Sequence, residues 1–155
     1  MPEVENPLPA AVPFIALAEK ATRALRSDML ANSHRSGFGE IQPAHNAVFA
    51  TLPAKGARAV DMAARAGVTR QSMGESIRDM VRLGLLEMVP DPDDRRAKIV
   101  RFTEYGQRVA AAGIAHIQEQ DRRFRDEFGD EAYDAARRVL AGIRALLEDT
   151  APTRG

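Results

Sequence analysis

The chain has 155 residues and carries 22 basic and 22 acidic side chains, so no overall basic excess marks it for nucleic acid. That length suits a single domain, residues 1–155, with a real core, and 45% hydrophobic and 28% charged residues make an ordinary globular composition. There is no cysteine, which excludes disulfides, thiolate metal sites and cysteine-based redox sensing.

The N-terminus, "MPEVENPLPAAVP", is acidic and proline-rich, unlike a signal peptide, and residues 1–12 read as a loose arm. No apolar run approaches the roughly 20 residues of a membrane span. A cytoplasmic protein without a membrane partner is expected. Charge is nearly even along the chain: residues 56–108 hold 10 basic and 8 acidic side chains, against 7 and 9 in residues 109–155. The middle is therefore only mildly basic.

Pro13 suits the first position of a helix. Phe14, Leu17, Ala18, Ala21, Leu25 and Met29 then recur at spacings that give one helical face, ending near Gly37 and Gly39. Pro43 opens a second helix with Val48, Phe49 and Leu52 inward and Pro53 as its stop. A short Ala-rich helix follows over 57–66 and stops at Gly67. Thr69 is a good N-cap for a helix over 69–83, with Met73, Ile77, Met80 and Val81 on one face and Gly84 at its end. "LLEMV" and "KIVRF" read as strands around the polar hairpin "PDPDDRRA". Thr103 can cap a long helix whose face runs through Ala110, Ile114, Ile117, Phe124 and Phe128. "FGD" interrupts it, with Asp130 as the next N-cap. Tyr133, Ala136, Leu140, Ile143 and Leu147 then step by three and four, a heptad-like seam. "TAPTRG" is expected to fray. The fold class is mainly α with a small two- to three-stranded sheet.

Two helices joined by a tight glycine-containing turn are a helix-turn-helix signature. Any all-α domain contains helical hairpins, so the second helix has to decide. Its outer face offers Arg70, Gln71, Ser72, Glu75, Ser76 and Asp79, polar groups concentrated near the N-terminal end, where major-groove recognition helices make their contacts. Arg can donate two bonds to guanine and Gln can pair with adenine. Thr69, Ser72 and the helix N-terminus suit phosphate oxygens. Gly74 is unexpected on a merely solvated face, because Gly costs about 1 kcal/mol against Ala inside a helix; close approach of DNA or of a neighbouring helix would explain it. A hairpin directly after a helix-turn-helix is a wing, and its tip can lie along the adjacent minor groove, a narrow negative channel suited to Arg95 or Arg96. Asp93 or Asp94 can hold such an arginine in one pose. Lys98 and Arg101 would serve phosphates. As an isolated surface cluster these charges would contribute under about 1 kcal/mol.

The stretch "VTRQSMGESIRDMVRLGLLEMVPDPDDRRAKIVRFTEYG" resembles the core of the multiple-antibiotic-resistance regulator (MarR) family of bacterial transcription factors. The resemblance rests on the helix ending in "LGLLE", the "DPDDRRAK" wing and the exit "VRFTEYG" into a long helix. It covers residues 57–106; the flanking helices match in number and placement. It implies a winged helix-turn-helix lobe over 41–103, with the helix-turn-helix at 57–83 and the wing at 85–103. Helices at 13–36 and 104–149 would form a homodimer that reads a pseudo-palindromic operator in double-stranded DNA. By the same resemblance Arg95 or Arg96 is the minor-groove finger; the spacing behind Asp94 permits either, and Arg96 is preferred. The resemblance favours a repressor released by a small, often aromatic or phenolic, effector. Met29, His34, Phe38, His45 and Phe49 are the candidates to line such a site, although core packing accounts for them as well. His34, His45 and His116 form no i, i+4 pair, which argues against a helix-borne zinc site.

The motifs of nucleophile elbows, phosphate loops, dinucleotide folds and zinc proteases are absent, and no cofactor or enzymatic activity is expected. The rival reading is an all-α dimeric adaptor whose basic wing binds an acidic protein. Only the regulator should lose DNA steeply as salt rises.

Overall fold

The computed structural model describes residues 12–149; the expected N-terminal arm, apart from Val12, and the frayed C-terminus at 150–155 lie outside the described residues. Its elements are α1 (Phe14–Arg35), a 3-10 turn (Pro43–His45), α2 (Asn46–Thr51), α3 (Ala59–Ala66), α4 (Arg70–Arg82), β1 (Leu86–Pro90), β2 (Lys98–Phe102), α5 (Glu104–Phe128) and α6 (Asp130–Asp149). The fold is mainly helical, with β1 and β2 paired antiparallel, Leu86 opposite Phe102 and Pro90 opposite Lys98. A single bridge from Ala57 to Val100 adds the rudiment of a third strand. Two compact units result, Met1–Gly113 and Ile114–Gly155.

The first unit closes on a core of Ile41, Val48, Leu52, Met62, Met73, Ile77, Met80, Leu85, Leu86, Val100 and Val109. Helical spacing delivers Met73, Ile77 and Met80 to one side of α4, as expected. Val81 departs from that expectation: it lies one position off the stripe and is 37% exposed. Gly67 ends α3 with a φ of +66°, the left-handed turn that a C-cap glycine makes without Cβ strain. Pro13 sits one residue earlier than expected, as the extended N-cap of α1 rather than its first residue.

Alternation in the hairpin sorts the strands. Leu86, Val100 and Phe102 share the core face, while Glu87 and Arg101 pair across the other face at 2.5 Å. Thr103 then ties the wing to α5. Its hydroxyl donates to the Gly84 carbonyl at 2.6 Å and accepts from the Gly106 amide at 3.0 Å. Gly106 is required by space: a Cβ there would lie 1.9 Å from the Leu85 carbonyl oxygen.

In the second unit, the turn between α5 and α6 is held by Arg125, which donates to Asp130 at 2.8 Å and to Asp134 at 2.7 Å. Tyr133 stacks under that guanidinium at 4.7 Å and donates its hydroxyl to Asp121 at 2.5 Å. The Asp121 carboxylate pushes the Tyr133 phenol up from its usual range. Asp130 is the first helical residue, not the cap; Gly129 precedes it, and its carbonyl accepts from Tyr133.

Candidate nucleic-acid interface

Thr69 caps α4 as expected: its hydroxyl oxygen accepts from the Ser72 amide at 3.0 Å and donates to the Ser72 hydroxyl at 2.9 Å. The single O–H of Thr69 is thereby spent within the cap, whereas Ser72 accepts that bond and keeps its own O–H for an outside acceptor. Arg70 and Gln71 are exposed in the first turn of the helix. Gln71 donates to Glu75 one turn on at 3.1 Å, which orients its amide along the outer stripe.

Two residues expected on that stripe face elsewhere. Ser76 turns its hydroxyl to the Ala44 carbonyl at 3.2 Å, and Asp79 accepts from the ring of His45 at 2.7 Å. Both stitch α4 to the turn before α2, because positions 72, 76 and 79 form a flank of the helix rather than its outermost line. The sequence reading also missed Arg78. It is exposed and follows Gln71 by seven positions, so a helical-wheel count places both on one stripe.

The wing tip is shaped by its aspartates. Asp91 accepts from the Asp93 amide at 2.9 Å and Asp94 from the Arg96 amide at 3.0 Å, two side-chain turns that close the loop. The expected pairing of Asp93 or Asp94 with Arg95 or Arg96 does not occur. The arginine held is Arg58, at the N-cap of α3, which bonds the Asp91 carboxylate at 2.7 Å and lies 3.6 Å from Asp94. The Asp93 amide, and then Arg58, hold the Asp91 carboxyl below the usual carboxylate range. Arg58 and Asp91 are 33 positions apart, a pairing that no local spacing rule could have found. Among the described residues, the guanidinium groups of Arg95 and Arg96 make no hydrogen bond or ion pair and stand exposed at the tip. Lys98 is exposed at the start of β2, while Arg101 is engaged by Glu87.

The residues considered for an effector site are largely committed to packing. Phe49 stacks on Phe102 at 5.8 Å, and Phe38 meets Tyr105 edge-on at 6.2 Å. His45 is 1% exposed with both ring nitrogens in use, Nδ1 accepting from the Gln42 amide at 3.2 Å. Since Nδ1 accepts, Nε2 carries the proton donated to Asp79. His34 bonds the Ile41 carbonyl at 3.0 Å, and Met29 is half-buried near Gly113. A separate open groove of about 830 Å³ runs along α1 between Ile15, Thr22, Arg23 and Arg26 on one side and Pro43 and Asn46 on the other. Among the described residues no group of three or more His, Cys, Asp or Glu side chains could hold a metal ion, and no helix is long and apolar enough to cross a membrane.

Comparison with known proteins agrees with this geometry. The family model described as MarR family matches residues 42–97, from the turn before α2 to the wing tip. The uncharacterized protein Rv2011c of Mycobacterium tuberculosis is 32% identical over 87 residues, 54% of this chain and 61% of that relative, so the chain spans under two thirds of its length. The structure of Streptococcus pneumoniae FabT in complex with DNA superposes with a TM-score of 0.72 at 18% identity, covering 88% of this chain and 99% of that one. CouR from Rhodococcus jostii RHA1, bound to p-coumaroyl-CoA, gives 0.67 at 20% identity, covering 90% and 93%.

Proposed function

We propose that this protein, whose residues 42–97 match the MarR family model, is a sequence-specific regulator of transcription that binds double-stranded DNA as a homodimer, acting as a repressor in the bacterial cytoplasm. The observation that carries the reading is the pairing of two exposed polar features on one lobe. One is the N-terminal half of α4 with Arg70, Gln71 and Ser72; the other is a wing tip whose Arg95 and Arg96 have no internal partner. The helix presents bidentate donors to base edges in a major groove, and the wing presents guanidinium groups to the neighbouring minor groove. Arg58 serves by holding the wing through Asp91, and Lys98 adds a phosphate contact. FabT's complex with DNA supports the reading, since the two folds superpose along most of both chains.

The dimer part rests on apolar surface. Ile114, Ile117 and Phe128 on α5 and Val139, Leu140, Leu146 and Leu147 on α6 are all exposed, more than the second unit can cover by itself. Effector release has room in the groove along α1, where Arg23 and Arg26 outnumber Glu19 beside apolar side chains and suit an amphipathic acid. CouR's complex with p-coumaroyl-CoA makes such a ligand chemically reasonable for this fold.

Titration of a labelled duplex pool at stepped salt tests the function. A regulator loses affinity linearly in log–log coordinates as salt rises and retains a preference for one sequence over bulk competitor. An adaptor for acidic proteins shows no such preference at any salt.

A further inference from the structure

Gly74 remains unexplained by packing. It lies in the interior of α4, where only proline is a poorer helix former, and a crowding neighbour would be the ordinary reason for it. Outside its own helix backbone, a Cβ at this position would meet a single atom within 4 Å, Nη1 of Arg78 at 3.2 Å. No other helix approaches. The one group that uses the missing side chain's space is therefore the guanidinium one turn on.

Arg78 differs from its neighbours on the outer stripe. Gln71 is bonded to Glu75, and Arg82 is bonded to Asp79 at 2.6 Å. Among the described residues Arg78 makes no hydrogen bond or ion pair, and it is exposed. Helical side chains lean toward the helix N-terminus, so Arg78 lies back over Gly74, toward the turn of α4 that enters the groove. A planar guanidinium laid against bare helix backbone keeps the freedom to turn its donor fork to a base edge, and that fork matches the two acceptors of guanine.

Resting on the DNA-binding reading above, we infer that Gly74 is a notch that seats Arg78, and that Arg78 is a specificity-determining residue reading a guanine in each half-site. Ala at position 74 shifts only the end of a flexible side chain, so the fold tolerates it while the pose of Arg78 does not.

The test uses the full chain and the duplex it selects from random DNA, together with duplexes changed at one base pair at a time. The unmodified protein should discriminate by about tenfold or more against loss of one G·C pair per half-site. Arg78→Ala should erase that discrimination at that pair alone, and Arg78→Lys should not restore it. Gly74→Ala should weaken discrimination at the same pair while melting at or above the unmodified protein's temperature. In the Arg78→Ala background it should have no further effect on DNA. The inference is overturned if Arg78→Ala lowers affinity equally for every duplex, which would mark a phosphate contact, or leaves binding unchanged. It is also overturned if Gly74→Ala costs the same factor with and without Arg78, since the methyl would then be obstructing DNA directly. A chain that selects no duplex at all sinks the DNA-binding reading itself; a chain that selects one and ignores Arg78→Ala sinks this inference alone.

Discussion

The lobe of helix-turn-helix and wing and the hairpin of α5 and α6 spend their apolar residues differently. In the lobe, Met62, Met80, Leu85, Val48 and Val100 are sealed from solvent, and only scattered apolar side chains such as Val60, Val68, Val81 and Met88 are left partly exposed among polar and cationic groups. In the hairpin, Leu146 and Leu147 are 66% and 64% exposed, and the polar chemistry lies in the half-buried knot of Arg125, Tyr133 and Asp121 at the turn. A region that completes its own core can present a functional face; a region that leaves its apolar seam open is built for a partner, here a second copy of the chain under the reading proposed above.

Breaking the seam gives the largest expected effect. Leu140→Asp combined with Leu147→Asp should convert a dimer to single chains in a light-scattering mass measurement, and operator affinity should fall with it; unchanged mass would remove the dimer from the account. Breaking the lobe comes next. Met80→Ala should cost roughly 2–5 kcal/mol in denaturant unfolding, because nothing around a fully buried side chain is free to fill the gap.

Smaller changes separate function from folding within the lobe. Arg96→Ala should weaken operator binding by about tenfold with little change in melting temperature. If only Arg95→Ala does so, the minor-groove finger is Arg95. Thr69→Ala should lower stability by about 1 kcal/mol through the lost cap.

Acid should act on the wing. The carboxyl of Asp91 titrates below its unfolded range, so its contribution to stability is complete above that range and is lost as pH falls through the lowered folded value. Melting temperature should therefore drop at strongly acidic pH, and Asp91→Asn should be less stable near neutrality and flatter toward acid. An equal acid response in both proteins would remove Asp91 from that role.

Much of this was legible in the chain because the signals are local. Thr69 and Gly67 mark the ends of their helices by chemistry that acts within one turn, and "PDPDDRRA" could only be a polar hairpin. The expected placement of Ser76 on the outer face failed because polarity was used where helical phase decides: Ser76 and Asp79 lie on the flank that meets Ala44 and His45. Arg78 is as polar as they are, and only the phase count of seven from Gln71 places it on the outermost line. The clamp of Arg58 on Asp91 and the bond from His45 to Asp79 join positions 33 and 34 apart, and only the closed fold brings them together.

Selection of bound sequences from random double-stranded DNA tests the central claim most directly. The account predicts enrichment of an inverted repeat whose half-sites are centred about 10 base pairs apart, one turn of the duplex. Recovery of a pool no different from the starting DNA, at low salt and with the dimer intact, would contradict it.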